Sequence, residues 1–192
     1  MSAIPVEAVP AAFSAAAADL AAFRWSYPIE ASPLDPPRRV APHGAAVIAE
    51  ITANDVTVTS GKFILFCNPA GQPAWGGPFR CVTYVTAAID YGDFDECLGA
   101  VGWSWLLDAF AKHEADARAV GGTVTASANR HFGELADRPS SAEIELRASW
   151  TPALPDGAGL AAHLAAWQDF LRLASGLPLE EAEVVPLLRP LR

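Results

Sequence analysis

Positive charge is scarce in this sequence. Its 192 residues include 13 lysines and arginines against 22 aspartates and glutamates, which gives a formal net charge of −9. A nucleic-acid duplex or an anionic membrane would therefore meet net repulsion. The adjacent Arg38 and Arg39 are too isolated to follow a phosphate backbone. The composition predicts no direct binding to nucleic acid or to membranes.

Cysteines and long apolar runs are also few. Cys67, Cys81 and Cys97 are odd in number, lie far apart and form no C-x-x-C pair, which is typical of free thiols in a reducing compartment. The alanine-rich start has no lysine or arginine before Arg24 and lacks the unbroken apolar run of a secretory signal. No stretch is long enough to cross a bilayer. We therefore expect a cytoplasmic protein.

The motifs that usually carry chemistry are missing. The four histidines, His43, His113, His131 and His163, show neither H-x-x-x-H nor H-E-x-x-H spacing. The glycines match no phosphate-binding or dinucleotide-binding pattern, and no G-x-S-x-G occurs. Cys67, at a predicted strand end, is more typical of core filling than of nucleophilic catalysis. The sequence predicts no metal and no cofactor.

The chain contains enough apolar residues to form the core of one folded domain, which we expect over residues 1–192. Hydrophobic residues make up 52% of it and charged residues 18%, which is typical of a folded globular protein. Helical spacing predicts an N-terminal helix at 10–24. A proline-rich arm at 25–44 should be irregular, since proline removes backbone donors. A core at 45–178 and an extended tail at 179–192 complete the domain.

Five segments rich in β-branched and aromatic residues are predicted strands. They are residues 45–53, 61–68, 79–90, 122–132 and 142–150. No helix separates the first three, so they should form an antiparallel meander, and the last two should form a hairpin. With a closing helix at about 158–175, the order α-βββ-α-ββ-α predicts an α+β fold. Its five-stranded antiparallel sheet would carry helices on one face and leave the other partly polar.

The stretch "VGWSWLLDAF" predicts the start of the middle helix. Ser104 is the expected N-cap, with Trp103 just outside and folded back onto the core. Gly121 and Gly122 are the first residues beyond it that should end the helix. At roughly 100° per residue, Trp105 lies about 200° around from Trp103. Trp103 is therefore predicted in the core, and Trp105 either under the proline-rich arm or exposed.

A polar row on the last two strands is the strongest candidate for chemistry. If these strands pair, His131 on one shares a face with Glu145 and Arg147 on the other. A carboxylate beside a histidine and an arginine could perform acid–base catalysis or hold a polar ligand. The alternative interpretation is ordinary cross-strand ion pairing in water.

A second candidate is a ligand or partner surface. Trp75 and Trp105 are flanked by turn residues, and tryptophan commonly anchors protein interfaces. Asn129, in the polar row, completes this predicted surface. We expect a non-enzymatic binding or accessory protein that recognises a protein partner or forms a homodimer. The alternative is an enzyme that acts on a small polar molecule through the polar sheet face.

Several long motifs identify a family resemblance. "NPAGQPAWGGPFRCVTYV", "VGWSWLLDA", "FGELADRP", "AEIELRASWTP" and "HLAAWQDFL" resemble, in this order, the actinobacterial family called domain of unknown function 3000. The resemblance covers about residues 40–188 and implies a one-domain cytoplasmic protein, without a catalytic residue to transfer. The histidine associated with the position of Cys67 is absent here. The resemblance also suggests a further alternative, an accessory role beside a ribonuclease-D-like RNA-processing exonuclease.

Overall fold

The computed structural model describes residues 9–179, in which three α-helices cover one face of a six-stranded antiparallel sheet. The helices are α1 (Ala11–Ala22), α2 (Leu98–Lys112) and α3 (Leu160–Ala174). The strands are β1 (Ile29–Leu34), β2 (His43–Ala53), β3 (Val56–Gln72), β4 (Gly77–Ile89), β5 (Ala117–Asn129) and β6 (Ser141–Pro152). The predicted α+β class is confirmed. Apart from its first residue, the predicted tail at 179–192 lies outside the described residues.

The predicted count of five strands is wrong, because the proline-rich arm contributes a sixth. β1 lies within residues 25–44 and pairs antiparallel with β2 at one edge of the sheet. Pro33 is part of β1, and an edge strand tolerates proline because the amides on its outer side have no strand partner. The prolines therefore restrict this segment to an edge without preventing it from forming a strand.

The order of the sheet is β1-β2-β3-β4-β6-β5. β5 and β6 pair antiparallel, as predicted, and β5 forms the other edge. Alternate residues of the inner strands point to the helices and form the core, in which Phe63, Leu65 and Trp150 are fully buried. The Trp167 indole of α3 donates a 2.7 Å hydrogen bond to the Thr83 hydroxyl of β4. The helix layer is thus joined to the sheet by polar as well as apolar contacts.

The predicted limits of the middle helix are wrong at both ends. α2 begins at Leu98 instead of at a Ser104 cap, so Trp103 and Trp105 both lie inside it and both are partly buried. Gly102 belongs to the buried side of the helix, where an added Cβ would lie 2.8 Å from Ile144 Cδ1. Glycine in this helix therefore allows close approach to the sheet.

The helix ends at Lys112, well before the glycines that were expected to stop it. Glu114 turns the chain with a φ of +51°, and Gly121 and Gly122 lie within β5. A Cβ on Gly122 would lie 2.3 Å from the Arg147 carbonyl oxygen of β6. Gly122 thus permits close packing of β5 on β6 after the register shift that follows Arg118.

α1 packs against the turn that precedes α3. Gly157 in this turn has a φ of +84°, and a Cβ there would lie 1.9 Å from the Ala12 carbonyl oxygen. A side chain at Gly157 is therefore excluded both by its backbone conformation and by α1. None of the helices in residues 9–179 has the length and apolar character needed to span a membrane.

Candidate functional site

The open face of the sheet carries a polar cluster on β4 and β6. The Tyr84 hydroxyl donates a 2.7 Å hydrogen bond to Glu145 Oε2, and Arg147 Nη2 lies 2.9 Å from Glu145 Oε1. The Arg147 guanidinium also lies over the Tyr84 ring, 5.3 Å from its centroid. Both oxygens of the Glu145 carboxylate are therefore engaged by neighbouring side chains.

The hydrogen bond to Glu145 is the main cause that raises the pKa of Tyr84, and burial adds to it. Tyr84 is thus a neutral hydrogen-bond donor near pH 7. Abstraction of a ligand proton by Glu145 would require the carboxylate to give up at least one of its two contacts. The cluster as it stands is better suited to holding a polar group than to general-base catalysis.

His131 does not join this cluster. Glu145 faces Thr125 across the β5–β6 ladder, and β5 ends at Asn129, opposite Ser141. His131 is six positions beyond Thr125, which corresponds to about 20 Å of extended chain. Within residues 9–179, no hydrogen bond or ion pair joins it to Glu145 or Arg147. The structure therefore brings together two of the three catalytic candidates.

A recess of about 720 Å³ lies where the β3–β4 turn meets the start of β5 and the end of β6. We call it the Trp75 recess. Part-buried Trp75 and the buried Phe79 line it on one side, and Asp116 and Arg118 line it on the other. The Thr151 hydroxyl donates a hydrogen bond to the Trp75 carbonyl oxygen. This bond anchors the tryptophan-bearing turn to β6.

The ionisable side chains of the Trp75 recess are already paired. Arg118 donates two hydrogen bonds to Asp116, of 3.1 and 2.6 Å, and this pairing lowers the pKa of Asp116 and raises that of Arg118. No histidine, cysteine, lysine or serine is found among the described residues that line the recess. The recess thus lacks a group suited to proton transfer or nucleophilic attack near neutral pH.

Arg80 lies beside the recess on the open face, and sequence reasoning missed it. Its Nη1 donates to the Ala119 carbonyl oxygen at 3.1 Å and to Thr151 Oγ1 at 3.0 Å, and its Nη2 donates to Ser149 Oγ at 2.7 Å. Burial lowers its pKa, but a guanidinium remains charged at any physiological pH. In the described part of the chain it has no carboxylate partner. The alternation that places Tyr84 on the open face also places Arg80 there.

The three residues predicted to form a partner surface do not lie together. Trp75 lines the recess, whereas Trp105 is part of α2 and packs partly buried against the core. Asn129 is exposed at the opposite end of β5. Of the three, Trp75 is the residue that borders a cavity of ligand size.

Two buried polar groups on the helix side have structural partners. The Trp150 indole donates a 3.2 Å hydrogen bond to His163 Nδ1. The Asp169 Oδ2 atom lies 2.6 Å from Lys112 Nζ and 2.7 Å from His113 Nε2. These pairs connect α3 to β6 and to α2, and they satisfy side chains that would otherwise be costly to bury.

The cysteines offer no activated nucleophile. Cys67 and Cys81 are buried free thiols, and burial raises the pKa of each. Cys97 is an exposed free thiol, and its hydrogen bond with Asp95 raises its pKa. In residues 9–179, no group of three or more histidine, cysteine or acidic side chains is arranged to hold a metal ion.

Comparison with known proteins identifies the family of this chain. No curated protein and no solved structure matches this chain. Residues 9–184 match the family described as protein of unknown function DUF3000. Because this match covers most of the 192 residues, the chain belongs to the DUF3000 family.

Proposed function

We propose that this chain is a non-enzymatic binding protein whose Trp75 recess holds an extended segment of a protein partner. The observation that carries this proposal is the combination found in the recess. The recess has ligand size and a part-exposed indole, and the two ionisable side chains among its described lining residues, Asp116 and Arg118, already neutralise each other. Tryptophan side chains in such positions commonly dominate the affinity of protein interfaces.

The composition of the recess favours a peptide over a small metabolite. Pro78, Pro152 and Pro155 line it together with Trp75, so its walls are rigid and largely apolar. Aromatic and proline-rich walls of this kind suit an extended peptide, which loses little further conformational freedom on binding. Arg80 at one side would pair with a carboxylate of the partner. The expected segment therefore carries an apolar anchor followed by an acidic side chain.

The alternative, an enzyme that acts on a small polar molecule through the open face, needs a free acid or base in the polar cluster. Glu145 is held by Tyr84 and Arg147, and His131 lies beyond the end of β5. Binding is therefore the function that we favour. An accessory role beside an RNA-processing exonuclease would be one form of it. With a net charge of −9, such a role would act through protein contacts.

The proposal is tested by selecting binding peptides from a random extended library and measuring their affinity by fluorescence anisotropy. Trp75→Ala should weaken binding by about thirtyfold, which corresponds to roughly 2 kcal/mol for an anchor residue. Arg80→Gln should weaken the binding of acidic peptides more than that of neutral ones. Tyr27→Ala is the matched control, since Tyr27 is 90% exposed and does not line the recess.

Circular dichroism melts should show that all three variants remain folded. Equal affinity of wild type and Trp75→Ala for every selected peptide would contradict the proposal. So would an equal loss of binding in Tyr27→Ala, because the binding surface would then lie elsewhere.

A further inference from the structure

The two edges of the sheet differ in how well they are protected. β1 is six residues long and carries Glu30 and Pro33, which are features that prevent an edge from pairing with another chain. β5 is 13 residues long, and from Gly121 to Asn129 it has neither a charged residue nor a proline. Within residues 9–179, its outer side has no strand neighbour. β5 thus presents a long row of backbone donors and acceptors that its sequence does not shield.

Apolar side chains flank this unprotected edge. A Cβ on Gly122 of β5 would lie 2.9 Å from the Trp103 ring, so this side of α2 borders the edge. Leu107 follows Trp103 by about one helical turn on the same side and is 41% exposed. Phe132, three residues beyond β5, is 73% exposed. Pairing along β5 would therefore bury apolar area as well as satisfy backbone groups.

We propose that β5 pairs antiparallel with β5 of a second copy, about a two-fold axis through Thr125, so that the two sheets become one. This register places Thr125 opposite itself and Thr123 opposite Ser127 on the open face. On the helix face, it places Val124 opposite Ala126. Hydroxyl pairs and small apolar pairs of this kind stabilise neighbouring strands.

The uncharged stretch of β5 permits a second copy as the occupant in spite of the net negative charge of the chain. Two chains of net charge −9 repel each other over most approaches. A two-fold contact centred on Thr125 opposes no charged residues between Gly121 and Asn129. A two-fold symmetric contact needs a surface that is complementary to its own copy. The uncharged segment of β5 meets this requirement.

Cross-linking tests the register. In a Cys97→Ser background, Thr125→Cys should form an interchain disulfide on mild oxidation. Residues that face each other across an antiparallel pair have Cα atoms about 4.5–5.5 Å apart, within the disulfide range. Thr123→Cys is the matched control, because the two copies of that residue would lie about 13 Å apart. The remaining thiols, Cys67 and Cys81, are buried.

Sedimentation equilibrium tests the association itself. Wild type should have twice its 20.2 kDa chain mass, and Thr125→Lys should weaken the dimer by about fivefold or more because two ammonium groups then face each other. Mixing Thr125→Lys with Thr125→Glu should restore the dimer. Thr57→Lys, at an exposed position near the start of β3, should leave it unchanged. A monomeric wild type, an unaffected Thr125→Lys dimer, or equal cross-linking at Thr123 and Thr125 would overturn the proposal.

Discussion

The buried imidazole of His163 makes the stability of this protein depend on pH. The ring is 1% exposed, and its Nδ1 accepts the indole hydrogen bond of Trp150. Protonation would place a charge beside Trp150 and Phe110, and it would turn the accepting nitrogen into a donor that faces another donor. Burial therefore lowers the pKa of His163 from 6.5 to about 4, although the negative charge of Asp116 opposes the shift.

The sign and size of the effect follow from these two pKa values. Between pH 6.5 and about 4 the unfolded chain holds a proton on His163 that the folded chain does not. The free energy of unfolding therefore falls as the pH is lowered through this window. At about 1.4 kcal/mol per pKa unit, the fall from 6.5 to about 4 corresponds to a full loss of about 3–4 kcal/mol. Well above pH 6.5 both states are neutral at this residue, and the contribution of His163 no longer changes.

Urea unfolding monitored by tryptophan fluorescence, at pH values from 4 to 7.5, measures this loss. His163→Gln is the matched variant, since an amide oxygen can accept the indole hydrogen bond but does not titrate. Carboxylates other than Asp116, whose charge acts on His163, contribute equally to both proteins, so the difference in slope reports on His163 and its interaction with Asp116. The wild-type slope should exceed that of the variant by up to one proton. Parallel slopes from pH 6.5 to 4 would refute the reasoning, whatever the absolute stability of the variant.

Two further substitutions test the packing and the polar cluster. Gly61→Ala should lower the free energy of unfolding by about 1–3 kcal/mol, because the new Cβ would lie 2.7 Å from Leu171 Cδ2. Gly99→Ala is the control, because no atom lies within 4 Å of its added Cβ. Equal urea midpoints for the two variants would contradict the close approach of α3 to Gly61. Glu145→Gln should move the pKa of Tyr84 down towards its ordinary value, since the bond to Glu145 is the main cause of its rise. Phenolate absorbance during an alkaline titration measures this change, and an unaltered curve would show that the bond is weak in solution.

Local patterns predicted the segments whose side chains alternate between core and solvent. In β6, Ile144, Leu146 and Trp150 are buried, as their alternation predicted. The predicted pairing of β6 with β5 is also confirmed. The patterns failed where packing overrides local preference. Gly102 is normally unfavourable in a helix, yet it lies in α2 because a larger residue would collide with Ile144. Pro33 argues against a strand, yet it is tolerated at an edge.

The candidate site was only partly predictable, for a topological reason. Glu145 and Arg147 share a face through the alternation of a single strand, and that pattern was visible. Arg80 meets Ser149 and Thr151 only because β6 inserts between β4 and β5. The local sequence does not specify this strand order. His131 was misplaced because β5 ends two residues before it.

The contact of α1 with Gly157 has a consequence for synthesis on the ribosome. α1 is made first, yet the turn that receives it emerges about 145 residues later, which takes roughly 7–30 s at ordinary translation rates. During that interval the strands from β1 to β4 can already pair with their sequence neighbours. The first helix can meanwhile contact β2, since the Phe13 ring lies 5.5 Å from that of His43, but its side towards α3 and this turn stays uncovered. A nascent chain that stalls between β4 and this turn would therefore be a natural substrate for holding chaperones.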